Sequence, residues 1–210
     1  MYRTQMVPQA SILTPNHYEC ELLTGITVHT DEDALRATSA LHDLGAETVI
    51  ITSKEPGAAD GVTDDVKRKH GEVVMYASRR PRGARSHGGV VGEGEKEGER
   101  GGDAEVEGSS GLYRLAMDRH SGHYTGTGDL FAALLLAWTY KSPDDLPLAL
   151  ERAGATIQSV IRRTSESAPD APPGACIELK LVASRMAIVE PVVVRRATRV
   201  GGGGAPSDVS

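Results

Sequence analysis

Gly126-Thr127-Gly128-Asp129 is followed without a break by the apolar run LFAALLLAW at 130–138. The glycines on either side of Thr127 let the backbone turn tightly, and the Leu and Ala residues that follow are strong helix formers. The sequence therefore predicts a tight turn that opens a helix. The unpaired N–H groups and the positive dipole end of such a helix suit a phosphate or a developing oxyanion.

Asp129 lies in the first turn of this predicted helix. A carboxylate beside a bound phosphate repels it unless the carboxylate has a proton to accept, which favours a general base. The alternative is an N-cap Asp, and such caps are much commoner than catalytic bases. The residues alone leave both interpretations open.

A second group of polar residues follows the apolar run 10–13, which we predict to be a short buried strand. Pro15 forces Thr14 into an extended conformation and ends the strand, and a short helix closed by Gly25 follows. Thr14, Asn16 and Glu19 therefore gather at one corner between strand and helix. Their oxygens could hold a cation or its waters, but Asn16 could equally be an N-cap and Glu19 a partner of the helix dipole.

The next predicted elements are a helix over 30–44, opened by Thr30 and ended by Gly45, and an apolar strand over 48–53. A strand buried on both faces is typical of a parallel sheet, and strand, helix, strand in this order is a βαβ unit. Ligands bind such sheets at the carboxyl ends of the strands. Thr14, Asn16, Thr52 and Ser53 all lie at such ends, which predicts a site there.

The composition limits the possible partners of this 210-residue chain, whose net charge is −6 and whose apolar share is 39%. The negative charge argues against binding to nucleic acid or an anionic membrane. Cys20 and Cys176 form no CxxC pair, so neither a zinc site nor a disulfide framework is indicated. No run reaches membrane-spanning length and the start lacks a hydrophobic signal core, so we expect a soluble cytoplasmic protein.

Two stretches are predicted to be unstructured. Residues 79–111 carry a basic cluster, then an acidic one, with glycines throughout and little that is apolar, so we predict a disordered insertion. The flanking strands, 73–76 and 112–117, are predicted to pair as a hairpin. Residues 201–210 are predicted to be a disordered tail, which leaves residues 1–200 as one domain, with a further amphipathic helix over 146–163.

Three stretches of the chain resemble pyridoxal kinases of the ribokinase-like superfamily: ILTPNHYECELLTG at 12–25, VIITS at 49–53 and YTGTGDLFAALLLAW at 124–138. GTGD marks the superfamily, and its combination with TPN and ELLTG points to pyridoxal kinases. The resemblance implies a three-layer α/β/α fold with a mainly parallel central sheet, truncated at the amino terminus. The portion implied to be missing carries most of the pyridoxal pocket, so this chain is the nucleotide half.

The resemblance also implies roles for individual residues. Asp129 is the base that deprotonates the bound substrate, and Gly126 and Gly128 form the anion hole with Thr127, which also contacts the nucleotide. Further predicted residues line the ATP phosphates (Asn16, Thr52, Ser53) or lie where the family arranges its cations (Thr14, Glu19). His120-Ser121-Gly122 occupies the stretch that approaches the nucleotide, although its residues differ from those of the family.

The resemblance thus predicts ATP-dependent phosphorylation of pyridoxal and related B6 vitamers by a homodimer. ATP is the predicted cosubstrate with Mg²⁺ or another divalent cation, and a monovalent cation is a further candidate. A related hydroxymethylpyrimidine kinase is a variant of this prediction, and a nucleotide-binding remnant without turnover is the alternative. Because the portion implied to be missing carries most of the pyridoxal pocket, we expect the isolated chain to be inactive. Because truncation exposes an apolar edge of the sheet, we also expect it to be poorly soluble or self-associating.

Overall fold

The computed structural model describes residues 2–52, 72–80, 111–120, 122–169, 172 and 174–201. Most of the predicted insertion and tail therefore lies outside the described residues, as do Ser53 and Ser121. Of the predicted insertion, Arg79 is the last residue of a strand and Gly111 directly precedes another. The disorder of 79–111 and 201–210, and the single domain over 1–200, stay predictions.

The described residues form strands and helices that alternate along most of the chain. A short π-helical turn (Tyr2–Met6) and a 3-10 turn (Val7–Gln9) come first. There follow β1 (Ile12–Leu13), α1 (His17–Thr24), α2 (Asp31–Asp43), β2 (Thr48–Ile51), β3 (Glu72–Arg79), β4 (Leu112–Asp118), β5 (His123–Thr125), α3 (Thr127–Lys141), α4 (Leu146–Glu166), β6 (Cys176–Glu178), a 3-10 turn (Val182–Ser184), α5 (Arg185–Val189) and β7 (Thr198–Arg199).

The main sheet has the order β1-β2-β3-β4-β7, and a second sheet pairs β5 with β6. The prediction of a mainly parallel sheet is wrong, because among the described strands of the main sheet β1 and β2 run parallel while the other three pairs are antiparallel. The apolar strand β2 suggested parallel pairing, but a strand becomes buried on both faces whenever helices cover both, whatever its neighbours' direction. The predicted pairing of β3 with β4 is confirmed.

Helices cover both faces of the sheet and give two apolar layers. Val49 and Ile51 of β2 point into one layer, which they share with Ala34, Ala37 and Leu41 of α2. Ile50 points into the other, which contains the buried residues of α3 and α4. The alternation of side chains along β2 assigns each residue to its layer. The α/β architecture with helices on both sides therefore matches the expectation.

A buried histidine joins α2 to the sheet. His42 is 7% exposed; its Nδ1 lies 2.8 Å from the Ala46 carbonyl oxygen and its Nε2 lies 3.0 Å from Ser78 Oγ. A carbonyl only accepts, so Nδ1 carries the hydrogen and the neutral ring accepts from Ser78 at Nε2. Burial lowers the pKa of His42, and the nearby Arg80 lowers it further.

We expect this histidine to make the folded state less stable as the pH falls. The pKa of His42 in the folded state is below the unfolded value of about 6.5. Between these two pKa values the unfolded chain binds a proton at this residue that the folded chain does not bind. The free energy of unfolding should therefore fall from about pH 7 downwards, by at most about 1.4 kcal/mol per pH unit for this one group.

Urea unfolding of wild type and His42→Gln between pH 5 and 8 measures this contribution. The variant keeps a polar side chain but cannot titrate, so the loss of stability below about pH 7 should be smaller in it. A His29→Gln variant is the matched control, because His29 is exposed and its substitution should leave the profile of the wild type unchanged. Identical profiles for wild type and His42→Gln would contradict the assignment.

Candidate functional site

The amino end of α3 differs from those of the other long helices. Gly126 is its N-cap residue, with φ of 85° in the left-handed region, and no side chain caps the helix. In α1, α2 and α4 the cap residues Asn16, Thr30 and Asp145 each accept a hydrogen bond from a first-turn N–H. The first-turn N–H groups of α3 thus have no side-chain acceptor at the cap and can bind an external anion.

The space beside the two glycines of this turn is open. A Cβ atom built on Gly126 or on Gly128 meets no heavy atom of the described residues within 4 Å. Packing against the described residues therefore does not require glycine at position 128, whereas Gly126 has the positive φ that glycine adopts at no steric cost. A ligand can approach the backbone closely at Gly128.

Asp129 is the third residue of α3 and is exposed. The N-cap interpretation of Asp129 is wrong, because Gly126 occupies that position. An acidic residue in the first turn is also favourable through the helix dipole. The geometry leaves the Asp129 carboxylate able to accept a proton from a bound molecule.

The structure brings two of the predicted strand-end residues together. Asn16 and Thr52 form a parallel bridge just beyond β1 and β2, and Thr52 N–H donates to the Pro15 carbonyl at 2.9 Å. Both side chains are half-buried, as is that of Thr14. The predicted convergence at the carboxyl ends of β1 and β2 is confirmed for Asn16 and Thr52, while Ser53 lies outside the described residues.

The carboxyl end of α3 lies near the amino end of β2. Arg79 pairs with Thr48 at the amino end of β2, and its Nε donates to Thr48 Oγ1 at 3.1 Å. The same guanidinium donates to the carbonyl of Pro143, two residues after α3. A helix of 15 residues is about 22 Å long, so we expect its other end, with Asp129, to lie toward the Asn16–Thr52 end of the sheet.

Asn16 and Glu19 form a capping box at the start of α1. Asn16 Oδ1 accepts from the N–H of Glu19 at 2.8 Å, and Glu19 Oε2 accepts from the N–H of Asn16 at 2.9 Å. The N-cap interpretation of Asn16 is thus confirmed. One oxygen of Glu19 is used in this way, and the Asn16 side-chain NH₂ stays available to donate to a ligand.

We expect Glu19→Gln and Glu19→Ala to separate the capping role of Glu19 from a cation-binding role. The Gln side chain still accepts from the Asn16 N–H, so the melting temperature of Glu19→Gln should match that of the wild type. Glu19→Ala should lower the free energy of unfolding by about 0.5–2 kcal/mol, as the loss of a cap does. If Glu19 also binds a cation, both variants should need a higher divalent cation concentration for half-maximal nucleotide binding. Equal cation dependence in wild type and Glu19→Gln would limit Glu19 to capping.

A cation at this corner would have few protein ligands. No group of three or more His, Cys, Asp or Glu side chains that could hold a metal ion occurs among the described residues. Thr14 and Glu19 offer a hydroxyl, a carbonyl and a carboxylate, which are hard oxygen donors suited to Mg²⁺ with several waters retained. The donor set fits an ion shared with bound phosphates better than an ion enclosed by protein.

Sequence reasoning missed two contacts around this end of the fold. Strands β5 and β6 pair in parallel, which brings Cys176 Sγ to 2.5 Å from Thr125 Oγ1. Thr125 is the residue directly before Gly126. Gln158 of α4 donates to the Asp118 carbonyl at 2.7 Å and pairs with His120 at 2.9 Å, which fixes the segment leading to the turn. These residues are far apart in sequence, and no local pattern could have joined them.

None of the described helices is both long and apolar enough to cross a lipid bilayer.

The sequence profile of a family described as phosphomethylpyrimidine kinase matches residues 1–91. Pyridoxal kinase from Bos taurus is 34% identical over 204 residues, which is 94% of this chain and 56% of the relative.

Two solved structures agree with this similarity. Pyridoxal kinase from Trypanosoma brucei has a TM-score of 0.65 and 27% identity over 95% of this chain and 55% of its own. Pyridoxal kinase from Leishmania donovani, solved with ADP and pyridoxamine, has a TM-score of 0.67 and 24% identity. The match covers 95% of this chain and 54% of that protein, and it shows the shared fold. These matches support the pyridoxal kinase / phosphomethylpyrimidine kinase family, which is ribokinase-like, and the chain spans about half the length of these relatives.

Proposed function

We propose that this chain is the nucleotide-binding part of an ATP-dependent pyridoxal kinase, with Asp129 as the general base. The observation that carries the proposal is the amino end of α3. It lacks a side-chain cap and exposes Asp129 in its first turn, and we infer that it faces the end of the sheet where Asn16 and Thr52 meet. Similarity to pyridoxal kinases over 94% of the chain supports the same reaction.

In the proposed reaction the hydroxymethyl group of pyridoxal gives its proton to the Asp129 carboxylate. The freed oxygen forms a bond to the γ-phosphorus of ATP while the bond from that phosphorus to the β,γ-bridging oxygen breaks, and ADP leaves. Such a transfer needs positioning and stabilisation of the phosphate charge more than covalent participation by the protein. The backbone N–H groups at Gly126–Gly128 and the Thr127 hydroxyl would supply that stabilisation.

Asn16, Thr52 and Ser53 would line the phosphates of ATP from the sheet side, and Thr14 with Glu19 would hold a divalent cation. A bound Mg²⁺, with a monovalent cation as a further candidate, would neutralise phosphate charge in this reaction. The Asn16 side-chain NH₂ is available to donate to a phosphate oxygen, because the capping box uses only Oδ1 and the backbone N–H of that residue.

The match of residues 1–91 to a phosphomethylpyrimidine kinase profile favours one second candidate, phosphorylation of a hydroxymethylpyrimidine. That substrate also presents a hydroxymethyl group on a heteroaromatic ring, so the same base and anion hole would serve. The remaining candidate is a remnant that binds nucleotide without turnover.

Phosphorylation assays on two forms of the protein test the proposal. The first form is the chain as given, and the second is a longer form that includes any in-frame coding sequence found upstream of Met1. Each is incubated with ATP, Mg²⁺ and either pyridoxal or hydroxymethylpyrimidine, and product formation and ATP binding are measured. We expect the chain alone to bind ATP without turnover and the extended form to phosphorylate pyridoxal.

An extended form that binds ATP but phosphorylates neither compound would favour the remnant. An extended form that prefers hydroxymethylpyrimidine would identify the second candidate. We also propose that the protein acts in the cytoplasm as a homodimer, and sedimentation analysis of the extended form measures its oligomeric state.

A further inference from the structure

A cavity of about 740 Å³ lies at the carboxyl end of α3, and we call it the Trp138 cavity. Helices α3 and α4 form two of its sides, and the segment after α5 forms the third. It is lined by Trp138, Lys141, Ser142, Arg152 and residues 189–192. Trp138 follows Asp129 by nine residues of one helix, a distance of about 14 Å, so this cavity is separate from the amino end of α3.

Two cationic side chains of this cavity lie against one indole ring. Lys141 Nζ is 4.9 Å from the centre of the Trp138 ring, and the guanidinium carbon of Arg152 is 4.7 Å from it. The two charges are therefore less than one Debye length apart, which is about 10 Å at 0.1 M salt, and they repel each other. Among the described residues no carboxylate forms an ion pair with either of them. A bound anion would supply the missing counter-charge.

The indole N–H of Trp138 is a further donor that needs an acceptor. Trp138 is 8% exposed, and its Nε1 is buried without a hydrogen-bond partner among the described residues. An indole N–H can only donate, and buried donors are normally paired because an unmade hydrogen bond costs the desolvation of the group. An acceptor that carries negative charge would therefore suit Trp138, Lys141 and Arg152 together.

The number and charge of these donors favour a phosphate group over a carboxylate. A phosphate monoester carries a charge of about −1.5 to −2 and three strong acceptor oxygens, which matches two cations and one N–H donor. A carboxylate has one charge and two oxygens. Glu190 also lines the cavity and opposes any anion, as do the carbonyl groups at the carboxyl end of α3, which Lys141 partly offsets.

We propose that the Trp138 cavity binds the phosphate group of inorganic phosphate or of a small phosphate monoester. Lys141 and Arg152 supply the positive charge, and the Trp138 N–H donates to one phosphate oxygen. Val189 and Val192 line the same cavity and offer an apolar contact to the carbon skeleton of a monoester. The site is a second anion site, separate from the one proposed at the amino end of α3, and the inference does not depend on the kinase reaction.

Fluorescence reports on this cavity directly, because Trp138 is the only tryptophan of the chain. The chain is titrated with inorganic phosphate, glycerol 3-phosphate or acetate at constant ionic strength, and calorimetry accompanies the emission spectra. We expect saturable binding of both phosphates and none of acetate over the same range. Tighter binding of glycerol 3-phosphate would identify a monoester as the ligand, and tighter binding of phosphate would identify the inorganic ion. An equal response to acetate, or no saturable binding of either phosphate, would overturn the proposal.

Charge-neutralising variants locate the bound phosphate. Lys141→Gln and Arg152→Gln should each weaken binding at least about tenfold, as the loss of a charged hydrogen-bond partner does. Lys180→Gln is the matched control, since Lys180 is also exposed but does not line the cavity, and it should keep the affinity within about twofold. Glu190→Gln should strengthen binding, because it removes a repelling charge, and a merely structural role would not produce that gain. Unchanged affinity in folded Lys141→Gln would overturn the proposal.

Two further variants separate the donors and the two anion sites. Trp138→Phe keeps an aromatic ring beside the cations but has no N–H, so calorimetry should show phosphate binding about fivefold weaker, with circular dichroism as the check on folding. Gly128→Val fills the space beside the amino end of α3 and should leave the phosphate titration of Trp138 unchanged. If Gly128→Val abolishes that titration, the phosphate binds at the amino end of α3 and the proposal is overturned.

Discussion

Asp129→Asn should lower the rate of pyridoxal phosphorylation by about 10²–10⁴-fold in the form of the protein that turns over, as loss of a general base does. Asn has the shape of Asp but accepts no proton at neutral pH, so the substrate hydroxyl would have to lose its proton to water. The rate constant at saturating ATP and pyridoxal is the measurement.

The same substitution should leave ATP binding intact or strengthen it. Asp129 lies beside the proposed phosphate site, and removing its negative charge removes a repulsion. A loss of rate with unchanged or tighter ATP binding therefore separates a base from a residue that holds the nucleotide. Stability should change little, since an exposed acidic residue in a first helical turn contributes about 0.3–1 kcal/mol.

Asp145→Asn provides the matched control. Asp145 also begins a long helix, but its side chain accepts the N–H of Leu148 at 2.9 Å and lies at the opposite end of α3 from Asp129. Asn is an equally good cap, so both stability and turnover should match those of the wild type. If Asp129→Asn keeps its rate within about threefold, the general base is another group.

Gly128→Val should reduce kcat/KM for ATP by about 10²-fold without unfolding the protein. The Cβ of Val would occupy the open space beside the backbone, where the proposed phosphate approaches the N–H groups of the first turn. The loss of one preorganised donor in an oxyanion hole typically costs about 10²–10³ in rate. Calorimetric titration with ATP and steady-state kinetics are the measurements.

Gly126→Ala and Gly128→Ala form a matched pair for stability. Neither Cβ meets a heavy atom of the described residues within 4 Å, so only backbone conformation separates them. Gly126 has φ of 85°, so Gly126→Ala should lower the free energy of unfolding by about 1–2 kcal/mol. Gly128 is helical and Ala there should be neutral or stabilising by up to about 1 kcal/mol. A destabilised Gly128→Ala with unchanged kinetics would mean that Gly128 serves packing.

The sequence predicted most helix boundaries because the signals are local. Thr30 and Asn16 cap α2 and α1 as their side chains and positions indicated. Gly25 ends α1 in the left-handed conformation, and Gly126 opens α3 in the same conformation. Helix α4 extends to Glu166, beyond the predicted end at 163, because no breaker occurs before the Pro-rich stretch.

The candidate site was predictable only in part. The pairing of β1 with β2 confirmed that Asn16 and Thr52 meet, since strand ends in a βαβ unit share one edge of a sheet. The orientation of α3 over that edge depends on Arg79 contacting both Thr48 and Pro143, which no local pattern shows. The N-cap role of Asn16 was one of two open interpretations until the hydrogen bonds assigned it, and the capping-box contact of Glu19 was not predicted.

Local sequence is enough to predict the tight turn at 126–128, the helix after it, the capped helices and the apolar strands, because each depends on residues within one or two turns of one another. The folded structure was needed to show the mixed direction of the sheet, the parallel pairing of β5 with β6 and the exposure of the outer face of α3. These features depend on contacts between residues that are distant in the chain. The local sequence around a residue does not indicate which distant residues it will contact.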